Sequence, residues 1–222
     1  MKLVFPLLPE PLCFEENRVN VLVIEEPFTL RKLLNELSDQ IKGLAGNIVL
    51  STDDIPRELC KLADLLIDPL HPEIESRKMA GRLLKAAVEI AQDHESELYA
   101  ALAGSNEFAA RICLNLGFPA TFDPLEDPLE FLRLFDFRLD SEDLDTPELL
   151  LEWMLLEREY FGKDLFIFYG LKSFLNREEL SAFYRGALYD KLNMLLIEPF
   201  QRGKPFEEEC VTIIDEDLCV IC

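Results

Sequence analysis

Residues 123–130 read DPLEDPLE and bring Asp123, Glu126, Asp127 and Glu130 together with no basic residue among them. Carboxylates this close repel one another unless they are protonated or neutralised. Two chemistries use such a cluster: the start of a helix, and a hard cation held by oxygens. Asp at the N-cap, Pro at the first helical position and Glu at the third make a good helix start. Proline has no N–H to leave unpaired, and the glutamate can reach back to the cap amide. Only one of the two repeats can open a continuous helix, because a helix begun at Pro124 would meet the ring of Pro128 in its interior. The expected arrangement is a tight turn over 123–126 and a helix from 128 through FLRLF, with Asp127 and Glu130 capping. Asp123 and Glu126 are then left beside the cap. Calcium suits them as a neutralising ion, since it accepts roughly six to eight oxygen ligands in flexible geometry. The spacing does not match an EF-hand loop.

The opposite sign is concentrated elsewhere. SRKMAGRLLKAAV (76–88) carries Arg77, Lys78, Arg82 and Lys85 and no acid, in a chain with 43 acidic and 22 basic residues and a net charge of -21. At about 100° per residue, Lys78, Arg82 and Lys85 fall within about 40° of one direction. Leu83, Leu84, Ala87, Ile90 and Ala91 gather on the other side. Such a helix has a packed face and a cationic ridge that can follow phosphates; the bland reading is a solvated face. Arg57 and Lys61, four apart on the preceding helical pattern, extend the same candidate surface. No aromatic is interleaved, so contact with a duplex backbone fits better than stacking on single-stranded bases.

Other chemistries find little support. The phosphate loop GxxxxGK[ST] and the fingerprint GxGxxG are both absent, and Glu25 and Glu26 follow the strand-like VNVLVI where phosphate would need to sit. The two histidines, His71 and His94, lie near no serine or cysteine in a nucleophile elbow. His94 falls on the apolar side of its helix and reads as a core histidine. Cys219 and Cys222 form a CxxC with only Cys210 nearby, short of the ligands that a structural zinc site takes. The scattered cysteines suit a reduced, cytoplasmic protein. No stretch has the length and apolarity of a membrane span, and the N-terminal MKLVFPLLPEPLCF is a poor signal peptide.

The elements that must position these residues divide by pattern. VNVLVI (19–24), NIVL (47–50), LFIFY (165–169), LNMLLI (192–197), VTII (211–214) and LCVI (218–221) are short apolar runs, several of them continuous, as expected of strands covered on both faces. FTLRKLLNELSDQI (28–41) and NREELSAFYRGALYDKL (176–192) are helical. The spacing predicts an α/β domain with a largely parallel sheet and a C-terminal edge hairpin. From about residue 54 to 160 the strand signal disappears. The expected organisation is a discontinuous α/β head, 1–55 plus 160–222, and an inserted helical leg, 56–159, with a helix start at Thr146 and Pro147.

MKLVFPLLPEP at the start, FGKDLFIFYGLKSFLNREELSAFYRGALYDKLNMLLIEP (161–199) and IDEDLCVI (214–221) together resemble the CRISPR-associated adaptation proteins of type II-A systems. The resemblance runs over nearly the whole chain. It implies an α/β head with a mostly parallel sheet, like a nucleotide-hydrolase fold without the phosphate loop, and an inserted α-helical leg. It further implies a homotetramer, a ring that binds ends of double-stranded DNA without catalysis, calcium that stabilises the ring, and a part in spacer acquisition. The implied partners are the CRISPR integrase complex and the RNA-guided effector nuclease. By position late in the leg, Asp123, Glu126, Asp127 and Glu130 correspond to the calcium-ligating carboxylates. Arg57, Lys61, Lys78, Arg82 and Lys85 are the candidates for DNA contact. Two other functions compete: a divalent-metal-dependent nuclease using the same carboxylates, and an acidic protein-interaction module that does not bind DNA.

Overall fold

The computed structural model describes residues 1–72, 76–141 and 143–221. The chain opens with β1 (Lys2–Val4), β2 (Leu12–Cys13), β3 (Val19–Ile24), α1 (Pro27–Ile41), β4 (Val49–Thr52), β5 (Ile55–Arg57), the one-turn α2 (Leu59–Leu62) and β6 (Ala63–Leu66). Three helices follow, α3 (Arg77–Gln92), α4 (Glu95–Asn115) and α5 (Pro128–Arg133). Then come α6 (Thr146–Phe161), β7 (Leu165–Tyr169), α7 (Arg177–Tyr189), β8 (Asn193–Glu198), β9 (Glu209–Ile214) and β10 (Val220–Ile221). They form two compact units: a sheet unit, Met1–Pro72 with Glu142–Cys222, and a helical unit, Glu73–Ser141.

The sheet unit is built on six strands in the order β10-β9-β3-β8-β7-β6, all parallel except the terminal β9–β10 hairpin. This is the α/β class that the apolar runs predict. Alternation along the strands explains why those runs are continuous. Leu165, Ile167, Leu195 and Ile197 join Leu30, Leu33 and Leu37 of α1 in one core. Phe166 and Phe168 turn to the opposite face, where Trp153 of α6 meets both rings edge-on at 5.5 and 6.0 Å and Phe183 of α7 meets Phe168 at 5.6 Å.

Two expectations change. NIVL contributes β4 to a second, smaller antiparallel sheet of order β2-β1-β4-β5, whose Leu3 and Leu50 close over the α1 core. The strand signal also does not end at 54. β5 pairs with β4, and β6 lies parallel to β7 with Asp64 opposite Phe166. KLADLL reads as helix because its strand is four residues long and follows one helical turn directly. These pairings, and the burial of Trp153, carry the sheet unit to residue 72 and bring the chain back into it from residue 142, beyond the 1–55 and 160–222 read from the sequence.

α6 begins one residue earlier than its Thr-Pro signal suggests. Asp145 is the cap, and its carboxylate and that of Glu148 form a reciprocal capping box. The helix ends at Gly162, whose φ of 68° suits glycine and lets the chain turn into β7. Asn176 and Glu179 form a second capping box at the start of α7.

In the helical unit, Ser76 caps α3 by accepting from the Met79 amide, and Met79 is its buried anchor. Leu98 and Leu102 of α4 are the other buried apolar side chains among the described residues of this unit. Ile90, assigned by periodicity to the packed face, is 64% exposed. His94 is exposed as well: it caps α4 by its backbone position and lies 3.8 Å from Glu97, so the core-histidine reading fails.

Candidate nucleic-acid interface

The cationic ridge forms as its spacing predicts. Lys78, Arg82 and Lys85 lie on the exposed side of α3, spread over about 10 Å of helix axis. Lys78 and Arg82 also interact with their surroundings. Arg77 and Lys78 occupy the first turn, and no acid accompanies them there. The exposed amide dipoles at that end favour anions, so two cations are locally unfavourable.

Arg57 and Lys61 are not on one helix. Arg57 ends β5 and Lys61 lies in α2, both in the sheet unit. They nonetheless meet at one open cavity of about 430 Å³, with Thr52, Pro56, Glu58 and Asp164. Lys61 is engaged there by Glu58 at 2.9 Å, which holds its amine above the usual lysine range.

DPLEDPLE divides as proline geometry requires. Pro128 opens α5, and Asp127 is the cap, its Oδ1 accepting from the Leu129 amide at 2.9 Å; Glu130, expected to cap with it, makes no reciprocal bond to the cap amide. The preceding turn is held by a residue that sequence pattern did not single out. Asn106 of α4 accepts from the Leu125 amide at 2.8 Å and donates to the Leu125 carbonyl at 3.0 Å. Asp123, Glu126, Asp127 and Glu130 are all exposed, so water screens much of the repulsion that called for a cation. Their oxygens are the right donors for calcium. Within one chain, however, no three acidic, histidine or cysteine side chains among the described residues are disposed around a common point. The cluster by itself is not a closed site. Cys219 is exposed, and Cys222, the other half of the CxxC, lies outside the described residues.

Sequence pattern also missed a buried polar network in the sheet unit. Glu209, at the start of β9, accepts from Lys172 Nζ at 2.7 Å and from the Tyr184 hydroxyl at 2.8 Å through Oε1, and from the Phe206 amide at 3.2 Å through Oε2. Burial, together with the Glu209 charge, pushes the Tyr184 hydroxyl far up, so it stays a donor. Glu198, at the end of β8, accepts from the Lys172 amide at 2.9 Å through Oε1. Its Oε2 has no hydrogen-bond partner among the described residues. Burial raises Glu198 to about 7, against the pull of the Lys172 amide and the Lys172 and Arg202 charges. The only advance signal was an acid, Glu198, directly closing the apolar run MLLI.

Among the described residues no helix is long and apolar enough to cross a membrane. A protein-family model described as CRISPR-associated protein (Cas_Csn2) matches residues 40–218. No curated protein matches the sequence. Among solved structures, a protein described as an ABC transporter ATP-binding protein from Pyrococcus furiosus aligns at 10% identity and a TM-score of 0.37, covering 91% of this chain and 88% of its own. The ADP conformation of an ATP-binding cassette of an ABC transporter aligns at 10% identity and a TM-score of 0.39, covering 87% and 74%.

Proposed function

Because the chain belongs to the CRISPR-associated Cas_Csn2 family, we propose that it binds ends of double-stranded DNA, without base preference and without catalysis, in support of spacer acquisition. The observation that carries this reading is the α3 ridge: Lys78, Arg82 and Lys85 on one exposed helix side, with no acid in the first turn, in a chain of net charge -21. Cations segregated in this way neutralise phosphates and release counterions, so affinity falls steeply with salt whatever the sequence. Arg57 and Lys61 belong to the same reading as a second basic contact.

The proposed assembly is a cytoplasmic homotetrameric ring that works with the CRISPR integrase complex and the RNA-guided effector nuclease. Calcium enters in a narrower form than the sequence suggests. Asp123, Glu126, Asp127 and Glu130 supply exposed oxygens, and further ligands would have to come from another segment or a second copy.

Linear and covalently closed duplexes of equal length test the reading by binding isotherms at several salt concentrations. Linear DNA should bind more tightly, and Lys78→Glu with Arg82→Glu should weaken it and lower the salt slope by about one per lost phosphate contact. Equal affinity for both topologies counts against end binding. An unchanged isotherm for the double variant favours the interaction module. Cleavage of the duplex by purified protein with magnesium, lost on Asp123→Ala and Asp127→Ala, would make the protein a nuclease. Solution mass with calcium and with chelator tests the ring, which should fall to smaller species when calcium is removed.

A further inference from the structure

The segments that leave the carboxyl ends of β7 and β8 enclose an open cavity of about 370 Å³, lined by Lys172, Arg177, Arg202 and Lys204 with Gly203 and Phe206. No carboxylate is among its described lining residues, although acids outnumber bases 43 to 22 in the chain. Chance placement of charge in this composition would put acids at such a rim first. Lys172 is spoken for, since its ammonium pairs with buried Glu209. The other three cations form no ion pair with a carboxylate among the described residues, although the Arg202 charge acts on buried Glu198.

Two of the three are nonetheless held in place. Arg177 donates to the Lys204 carbonyl at 2.8 Å and lies over the Phe206 ring at 4.1 Å. Arg202 lies over the Phe200 ring at 4.5 Å. Stacking on a ring face fixes the plane of a guanidinium and leaves donors of its fork available, and that fork matches phosphate oxygens in pairs. Gly203, at a φ of 61°, makes the turn that sets Arg202 and Lys204 on the same rim. In open α/β sheets, ligands settle outside the carboxyl ends of the strands, which is where these segments start.

We propose that this cavity is a binding site for a phosphate group, engaged by Arg177, Arg202 and Lys204. Its volume falls within the range of small-ligand sites. The shared chemistry is a multiply charged phosphate oxyanion, carried either by a free phosphorylated compound or by the terminal phosphate of a nucleic acid. The site lies wholly in the sheet unit and uses none of the α3 cations, so it stands or falls apart from the duplex reading.

Calorimetric titration of the full chain at fixed ionic strength, with pyrophosphate, inorganic phosphate and acetate, tests it. Pyrophosphate should bind saturably at one per chain, phosphate more weakly, and acetate not at all. Arg202→Ala and Lys204→Ala should each weaken pyrophosphate by about tenfold, as losing one charge-assisted hydrogen bond does. Arg202→Lys, which keeps the charge but not the fork, should fall between, and Lys42→Ala, at an exposed lysine outside both basic surfaces, should leave pyrophosphate affinity unchanged. Both tested side chains are exposed, and a thermal melt of each variant checks that it folds. Binding of pyrophosphate no better than acetate overturns the proposal, and so does wild-type pyrophosphate affinity in the Arg202→Ala, Lys204→Ala double variant. A competition arm with 5′-phosphorylated and 5′-hydroxyl blunt duplexes identifies the source. Displacement of the phosphorylated duplex alone assigns the site to a nucleic-acid end, and simultaneous binding of duplex and pyrophosphate assigns it to a free compound.

Discussion

The sheet unit and the helical unit solve the same problem of burial in different ways. In the sheet unit both faces of the sheet are covered, and even charged groups are taken inside: Lys163 donates to the Cys60 and Ala63 carbonyls at 2.8 Å each, and Glu209 is fully bonded. In the helical unit only Met79, Leu98 and Leu102 are buried among its described large apolar side chains. Phe108, Leu114, Phe118, Leu134 and Phe135 stay exposed, Leu114 at 84%. A sheet collects apolar side chains from strands distant in sequence onto two shared faces, whereas three helices of unequal length offer one another short stripes. The difference teaches that stability in this chain resides in the sheet unit, while the helical unit is free to carry charge: the cations of α3 and the carboxylates of DPLEDPLE.

The sharpest way to break that comparison is to open each core. Trp153→Ala removes the ring that meets Phe166 and Phe168 and should cost about 3–5 kcal/mol in urea denaturation followed by far-UV circular dichroism. Leu102→Ala should instead melt helix signal at lower denaturant while the fluorescence of Trp153, the only tryptophan, stays native. Coincident transitions in Leu102→Ala would show that the two units share one cooperative core.

Next in size is the pH dependence placed in the sheet unit by Glu198. Its folded value of about 7 lies above the ordinary 4.5, so between those values the folded chain binds more protons than the unfolded one. Stability should therefore fall as pH rises from about 5 to 7 and level off above. Glu198→Gln keeps the acceptor for the Lys172 amide, should flatten that slope, and should raise stability at pH 8 by on the order of 3 kcal/mol. Lower stability of this variant at pH 8 would mean that the carboxylate is stabilised by a group outside these contacts.

Tyr184→Phe comes third. It leaves the Lys172–Glu209 pair but takes away one donor, at a cost of about 1–2 kcal/mol measured by the same denaturation. The smallest effect belongs to the helical unit. Asn106→Ala releases the Leu125 backbone, and about 1 kcal/mol should be lost, with faster amide exchange confined to 123–127. Exchange that quickens across α3 as well would make Asn106 a general support of the unit.

Much of this architecture was legible in residue order because it depends on local periodicity. Continuous apolar runs marked the parallel strands. Proline at Pro128 chose between two helix starts. The spacing of Lys78, Arg82 and Lys85 placed all three on one side of α3 before any packing was known. Tertiary structure decided what meets across distance. Ala63–Leu66 became a strand only because β7 offered it a partner. Asn106 became the clamp of the DPLE turn from nineteen residues away. Arg177 and Lys204 reached one cavity although 27 residues separate them. Periodicity tells which side of an element a residue occupies, but the direction in which the chain returns is set by the pairing and burial of other segments. Convergent charges are therefore visible only once the fold has closed.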